Sequence, residues 1–171
     1  MKRTLFAALA LATGLGSVSA LSAQTATPPS PWGPLKIQHV DAKTYAQKLV
    51  NDTLAKHPDI IIMAMHVTPS GKKVNEIIAS NIGRIGKPGD EDDQRVIDTG
   101  KANKEVNTAG DHFECEAPMR DKAGRIIGAV GIVYMYKPGD DKQALAKKAM
   151  AVQAEMQAQT PSRAALFAPV K

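Results

Sequence analysis

The segment Asn75-Glu-Ile-Ile-Ala-Ser-Asn-Ile-Gly-Arg-Ile-Gly-Lys87 joins a short apolar run to a polar end that contains two glycines. The apolar run predicts a strand from Glu76 to Asn81. The glycines predict a bend after it, because a residue without a Cβ can turn sharply or approach another group closely. Asn81, Arg84 and Lys87 of the bend carry donors suited to a carboxylate. We therefore expect this segment to form one wall of a small-molecule pocket.

The first 23 residues have the pattern of a secretory signal peptide. A basic start, Met1-Lys-Arg, precedes an apolar and small-residue run from Leu5 to Val18, and a small-residue cleavage site follows at Ala20 or Ala23. The run is too short and too rich in small residues to span a bilayer comfortably, and no later segment is long and apolar enough. We expect an exported protein, periplasmic in a bacterium, without a stable membrane anchor.

Composition excludes some classes of partner. The formal net charge is +5, and two of the positive charges, Lys2 and Arg3, belong to the signal peptide. The basic residues are scattered among acidic ones and only 4% of residues are aromatic, so a nucleic-acid groove is not expected. The single cysteine, Cys115, excludes an internal disulfide and is interpreted as a core residue.

The remaining length fits one domain of α+β class, predicted to cover residues 41–158. Residues 24–40 are proline-rich and predict a flexible leader in which Trp32 alone has much surface to bury. Apolar residues at helical spacing predict a helix over 41–56, capped by Asp41. Ile60 to Val67 is uniformly apolar, as expected of a central strand covered on both faces, and His66 lies near its end.

The second half predicts a short helix, a long hairpin and a final helix. Asp90 and Asp93 have the spacing of a helix cap, which we favour over a calcium loop because the EF-hand spacing is absent. Strict alternation from His112 predicts a strand with one buried face, and the apolar return from Arg125 to Tyr136 completes the hairpin after a brief strand near residue 105. A helix over 141–157 follows, and residues 159–171 predict a loosely held tail.

The glycines of the hairpin's second strand, Gly128 and Gly131, are unusual in so apolar a strand. They indicate a place where a helix or a ligand comes close to the main chain.

Three stretches stand out within this order of elements: Ala79-Ser-Asn-Ile-Gly-Arg-Ile-Gly-Lys87, Thr99-Gly-Lys101 and Ala117-Pro-Met-Arg-Asp-Lys-Ala-Gly-Arg-Ile-Ile-Gly-Ala-Val-Gly131. Together they resemble the single Cache domain, a PAS-like extracytoplasmic sensor family. The resemblance implies an antiparallel sheet of about five strands with flanking N-terminal and C-terminal helices, and a pocket on the other face for small carboxylates or amino acids. Such domains usually sit between membrane helices of a receptor, whereas a soluble version would present its ligand to an envelope signalling or transport partner.

The sequence therefore predicts a ligand-binding domain that uses His66, Asn81, Arg84 and Lys87, with no cofactor, no metal and no catalytic role. A haem- or metal-binding protein is the alternative, with His66 or His112 as ligand, together with Cys115 or the glutamates of the same strand. No Cys-x-x-Cys-His attachment or paired-histidine helix supports that alternative. An enzyme is disfavoured because the serines lack a nucleophile elbow and Glu114 and Glu116 share one strand face without an opposing carboxylate that the sequence reveals.

Overall fold

The structure, a computed structural model, describes residues 36–170. The predicted signal peptide, most of the predicted leader and Trp32 lie outside these residues. Four helices and five strands follow in the order α1 (Tyr45–Lys56), β1 (Ile60–Val67), β2 (Glu76–Ser80), α2 (Glu91–Thr99), β3 (Asn103–Val106), β4 (His112–Arg120), β5 (Ile126–Met135), α3 (Lys142–Gln159) and α4 (Arg163–Leu166). No helix in this part of the chain is long and apolar enough to cross a membrane.

The strands form one antiparallel sheet in the order β2-β1-β5-β4-β3. β1 lies inside the sheet, between β2 and β5, as its uniformly apolar sequence predicts. Successive residues of β4 and β5 point to alternate faces of the sheet. Cys115 pairs with Ile132 across the two strands on one face, and Glu116 pairs with Gly131 on the other. The α+β class, the five antiparallel strands and the flanking helices are therefore confirmed.

The core lies between one face of the sheet and helices α1 and α3. Side chains that are almost fully buried fill it, and Cys115 is among them, as predicted. Burial raises the pKa of the Cys115 thiol to about 11, so this thiol stays protonated and unreactive. The largest fully buried side chains of this core are Leu49, Val50, Met63, Met65, Val67, Phe113, Met119, Val130, Ile132, Met156 and Leu166.

Helix α1 begins later than the sequence predicted. Thr44, not Asp41, is the N-cap, and its Oγ1 accepts a hydrogen bond from the main-chain N of Gln47 at 3.3 Å. The reason is a contact with the far end of the chain. Thr44 pairs with Pro169 in an isolated β-bridge, and the N of Tyr45 donates to the O of Ala168 at 2.8 Å. This pairing holds Thr44 extended, so the helix cannot start before it.

The segment after α3, for which the sequence predicted a loose tail, packs against the domain up to residue 170. Thr160 is fully buried, and its carbonyl accepts a hydrogen bond from the N of Lys122 at 2.8 Å. Leu166 of α4 is also fully buried and belongs to the core. The difference arises because Leu166, Phe167 and Val170 are too few and too closely spaced to give a periodic signal, although burying Leu166 anchors the whole segment.

Candidate functional site

A cavity of about 260 Å³ lies against the sheet face opposite α1 and α3. Its floor is made of even-numbered residues of β1 and β4 and odd-numbered residues of β5, which is the face that the core leaves unused. Helix α2 and the loop between β2 and α2 form its walls. It is lined by Ile62, Ala64, His66, Ile77, Ile82, Arg84, Lys87, Pro88, Asp90, Asp92, Asp93, Glu105, Asn107, His112, Glu114, Glu116, Gly131 and Val133.

The loop after β2 folds back along the outer edge of that strand. The N of Gly86 donates to the O of Ile77 at 2.8 Å, and the N of Ile77 donates to the O of Lys87 at 2.9 Å. The fold-back requires left-handed residues, with φ of 68° at Gly83, 62° at Arg84 and 82° at Gly86. Glycine adopts this conformation readily, whereas Arg84 does so at a cost. The sharp bend brings Arg84 and Lys87 to the cavity wall.

Helix α2 begins with a complete capping box. A side-chain oxygen of Asp90 accepts from the N of Asp92 at 2.9 Å and from the N of Asp93 at 3.1 Å, and Oδ2 of Asp93 accepts from the N of Asp90 at 2.8 Å. Gly100 ends the helix in the left-handed conformation. Capping was the favoured interpretation of these aspartates, and it is confirmed. The cap also fixes Asp93 at the cavity.

His66, Asp93 and Glu116 meet at the inner wall of the cavity. Nδ1 of His66 lies 2.9 Å from Oδ2 of Asp93, and Asp93 also contacts Glu116. Burial acts to raise the pKa of Asp93, but its contacts with His66 and Glu116 outweigh burial and hold the pKa below the usual range. Burial and the neighbouring Asp93 raise the pKa of Glu116 to about 10. Glu116 is therefore neutral at physiological pH beside an ionised Asp93.

Glu114 forms the next part of the floor, two residues along β4. Burial raises its pKa to about 7, with the charge of Glu105 adding to the shift. The missing side chain of Gly131 gives Glu114 its position. A Cβ built on Gly131 would lie 2.6 Å from Oε1 of Glu114, well inside van der Waals contact. The sequence predicted that a helix or a ligand would come close to the main chain here, whereas the group that does so is the Glu114 side chain of the neighbouring strand.

Three of the four side chains predicted to bind the ligand line the cavity: His66, Arg84 and Lys87. Asn81 does not. Its Oδ1 accepts from the N of Met63 and its Nδ2 donates to the O of Ile61, both at 2.9 Å. The Asn81 side chain therefore continues the main-chain pairing of β1 beyond the end of β2.

The acidic half of the cavity was not anticipated by sequence reasoning. Alternation along β4 had placed Glu114 and Glu116 on one face, but the opposing carboxylate, Asp93, comes from α2 and was interpreted only as a helix cap. Gly131 pairs with Glu116 across the two strands. A glycine at that position was the one sequence signal that space lies above this face of the sheet. Together these positions make the cavity more acidic than the predicted pocket.

The histidine and cysteine considered as metal or haem ligands lie on opposite faces of the sheet. His112 lines the cavity, whereas Cys115 is buried in the core. Among residues 36–170 there is no group of three or more His, Cys, Asp or Glu side chains arranged to hold a metal ion.

The fold is similar to that of the GAF domain of nlh2 from A. aeolicus, solved in an inactive state. The TM-score is 0.52 at 15% identity, over 68% of this chain and 82% of that chain. The Agobacterium tumefaciens repressor BlcR gives a TM-score of 0.49 at 12% identity, over 71% and 67% of the two chains. A type II free methionine-R-sulfoxide reductase from Thermoplasma acidophilum gives 0.48 at 14% identity, over 77% and 100%.

No protein-family profile matches the chain, and no curated relative is found. The architecture of the described residues is similar to that of a GAF domain. The resemblance to the Cache family stays a prediction.

Proposed function

We propose that this chain is an exported sensor domain of the single Cache type, which binds a small metabolite through its carboxylate group. The observation that carries the proposal is the cavity of about 260 Å³ with Arg84 and Lys87 at one wall. Ligand sites for drug-sized molecules begin at about 300 Å³, so this volume favours a metabolite of carboxylic-acid or amino-acid size. Charge-assisted hydrogen bonds from the two cations would hold the carboxylate.

The fold also supports the binding of a small metabolite in this cavity. One face of the sheet is closed by α1 and α3, and the other face is left as the floor of the cavity. Apolar side chains such as Ile62, Ile77 and Val133 share that floor with the polar groups. Small-molecule sites combine apolar surface of this kind with converging polar groups that fix the orientation of the ligand. His66 would fix the orientation of the ligand.

Export and partnership form the rest of the proposal. The signal peptide over residues 1–23 would direct the chain to the periplasm, where the loaded domain would present its ligand state to a signalling or transport protein of the envelope. Amino-terminal sequencing of the protein recovered from the periplasmic fraction tests export. A protein found in the cytoplasm with Met1 intact would contradict it.

Ligand binding is tested by thermal shift of the protein lacking residues 1–23 against organic acids and amino acids. We expect at least one member of these classes to raise the melting temperature, and Arg84→Ala and Lys87→Ala to abolish that rise. Lys73→Ala is the matched control, because Lys73 is exposed and does not line the cavity. A panel without any stabilising compound, or an unchanged shift in both cavity variants, would refute the proposal.

A further inference from the structure

We infer that the inner part of the cavity, bounded by Asp93, Glu114 and Glu116, binds an ammonium group of the ligand. The domain would then recognise a zwitterion of the amino-acid class in preference to a simple carboxylate. This inference rests on the proposed function and specifies the ligand class of the same site. Arg84 and Lys87 would hold one end of the ligand, and the three acidic residues the other.

The charges around the cavity favour a ligand with a positive group. Six carboxyl groups line it, whereas its permanent cations are Arg84 and Lys87. A ligand that carried only negative charge would have two cations at one wall and carboxyl groups over much of the remaining surface. Recognition requires complementary potentials, so the acidic part of the surface calls for a donor or a cation.

A buried acceptor without a hydrogen-bond donor points to the same end of the cavity. Glu116 is only 6% exposed, and its Oε1 accepts no hydrogen bond from the residues that the structure describes. Buried polar groups in folded proteins are nearly always satisfied, and an exception at a cavity marks a place for a ligand or water. An ammonium group offers three donors and no acceptor, which matches a set of carboxyl oxygens.

Glu114 completes this acidic surface because Gly131 has no side chain to fill the space above the sheet. Its Oε1 occupies space over Gly131 that a Cβ at that position would take. Glu114 and Glu116 therefore stand side by side on the floor, with Asp93 of α2 facing them. Carboxyls from a strand and from a helix are thus brought to one end of the cavity, as binding a single cationic group requires.

The protonation states of the empty site agree with this arrangement. Burial keeps Glu116 protonated, with a pKa of about 10, and raises the pKa of Glu114 to about 7. The groups that face them are Asp90, Asp92 and Asp93 of α2, Glu105 of β3, His112 of β4, His66 of β1, and Arg84 and Lys87 of the loop. A bound ammonium group would favour the ionised form of Glu116, which would then lose its proton. Binding should therefore release a proton.

The first test compares matched ligands by calorimetry with the protein that lacks residues 1–23. The probes are L-leucine, 4-methylpentanoate and isoamylamine, and L-glutamate, glutarate and 4-aminobutanoate. We expect each bound amino acid to lose at least tenfold in affinity when its nitrogen is removed. Equal or tighter binding of the nitrogen-free acids would overturn the inference and leave the proposed function standing. If no probe of either class binds, the proposed function fails first.

The second test measures protons directly. At pH 8, the heat of amino-acid binding is compared in phosphate and in Tris, which differ in ionisation enthalpy. The expected result is release approaching one proton per bound ligand, because the proton leaves Glu116. No release, or uptake, would overturn the inference. This experiment uses the unmodified sequence of the mature protein, so it does not depend on a variant that folds.

The third test uses Glu116→Gln, which keeps the shape of the side chain and removes its ability to become negative. We expect this variant to weaken amino-acid binding at least tenfold, to abolish proton release and to leave the nitrogen-free acids unaffected. Glu91→Gln makes the same chemical change on an exposed residue outside the cavity lining and should alter neither property. Equal weakening of both ligand classes by Glu116→Gln would contradict a role for Glu116 in binding the ammonium group.

Discussion

Nδ1 of His66 lies 2.9 Å from Oδ2 of Asp93, and this contact ties β1 to the first turn of α2 across the cavity. The two side chains are only 11% and 8% exposed. Nδ1 of His66 has no aligned hydrogen-bond partner among the described residues, so this is a close polar contact shielded from water rather than a hydrogen bond. This pair is one of several contacts that hold α2 over the sheet, together with the Asp93–Glu116 contact and the buried side chain of Val96.

The first prediction concerns this pair. His66→Ala should lower the free energy of unfolding by about 1–3 kcal/mol. Asp93→Ala should cost more, because it also removes an acceptor of the capping box, worth about 1 kcal/mol. Glu91→Ala is the control, since it removes an exposed acid of the same helical turn and should cost below about 1 kcal/mol. Urea unfolding measures all three. A cost for Asp93→Ala no larger than that for Glu91→Ala would contradict the prediction.

The second prediction concerns pH. The pKa of Glu114 is raised from its ordinary value of 4.5 to about 7, and that of Glu116 from 4.5 to about 10. The folded chain therefore binds more protons than the unfolded chain between these values. The stability that the two carboxyls contribute is fully present below pH 4.5 and is lost as pH rises through about 7 and about 10. The free energy of unfolding should fall between pH 6 and pH 9.

Glu116→Gln tests this pH dependence, because an amide does not titrate. Between pH 6 and pH 9 the folded chain keeps a proton on Glu116 that the unfolded chain has lost, so the unsubstituted protein should lose about 4 kcal/mol more stability over this range than the variant. Urea unfolding at constant ionic strength gives the two curves. Parallel curves would show that Glu116 titrates in the folded chain as it does in the unfolded chain. Asp93, whose pKa is lowered, acts oppositely and loses its contribution only as the solution becomes strongly acidic.

The third prediction assigns Asn81 to stability. Its side chain bonds Ile61 and Met63 of β1, each at 2.9 Å. Asn81→Ala should cost about 2–4 kcal/mol, because it leaves a buried main-chain donor and acceptor without these partners. Asn81→Asp keeps the acceptor and should cost less. Both variants should retain the thermal shift produced by ligand. A variant that has normal stability but no longer responds to ligand would contradict this prediction and show that Asn81 takes part in binding.

The fourth prediction compares two glycines of β5. A Cβ at Gly128 would lie 2.3 Å from the main-chain O of His66, which cannot move without disturbing β1. Gly128→Ala should therefore cost about 1–3 kcal/mol or more. At Gly131 the Cβ would meet the end of the Glu114 side chain, which can rotate away. Gly131→Ala should destabilise less but weaken ligand binding. Unfolding and ligand titration of both variants check this contrast, and equal stability losses would contradict it.

The fifth prediction separates strain from binding at Arg84, which has φ of 62°. Arg84→Gly should be about 1 kcal/mol more stable than Arg84→Ala, since only alanine retains the cost of the left-handed conformation. Both should lose the response to ligand. Gly86→Ala calibrates the strain, because φ there is 82° and a Cβ would meet nothing within 4 Å. Thermal unfolding of the three variants gives the comparison. Equal stability of the two Arg84 variants would refute the assignment of strain.

Local signals were sufficient for most of the fold. The uniformly apolar Ile60–Val67 segment, the alternation that begins at His112 and the spacing of Asp90 and Asp93 each predict an element that the structure contains. The start of α1 and the packing of the last residues were missed for one shared reason. Thr44 is held by Pro169, and contacts between the two ends of a domain leave no local pattern.

The site was predictable only in part. Arg84 and Lys87 were found because they accompany glycines in a bend, and His66 because it lies near the end of a central strand. The acidic end depends on a meeting of α2 and β4, which are separated by β3 in the chain. Asp93 has a complete local explanation as a cap, so nothing in the sequence required a second contact with His66 and Glu116.

The fold-back of the loop onto Ile77 has a consequence for self-association. Lys87 and Gly86 occupy main-chain groups on the outer side of β2 that another extended chain would need in order to lengthen the sheet, and the side chain of Gln47 occupies those of Ser80. Exposed strand edges are where sheets add further strands and aggregate. Loosening this loop to admit a bulkier ligand would therefore expose the edge of β2 to pairing with another chain. Engineered variants of that kind should be screened for aggregation as well as for affinity.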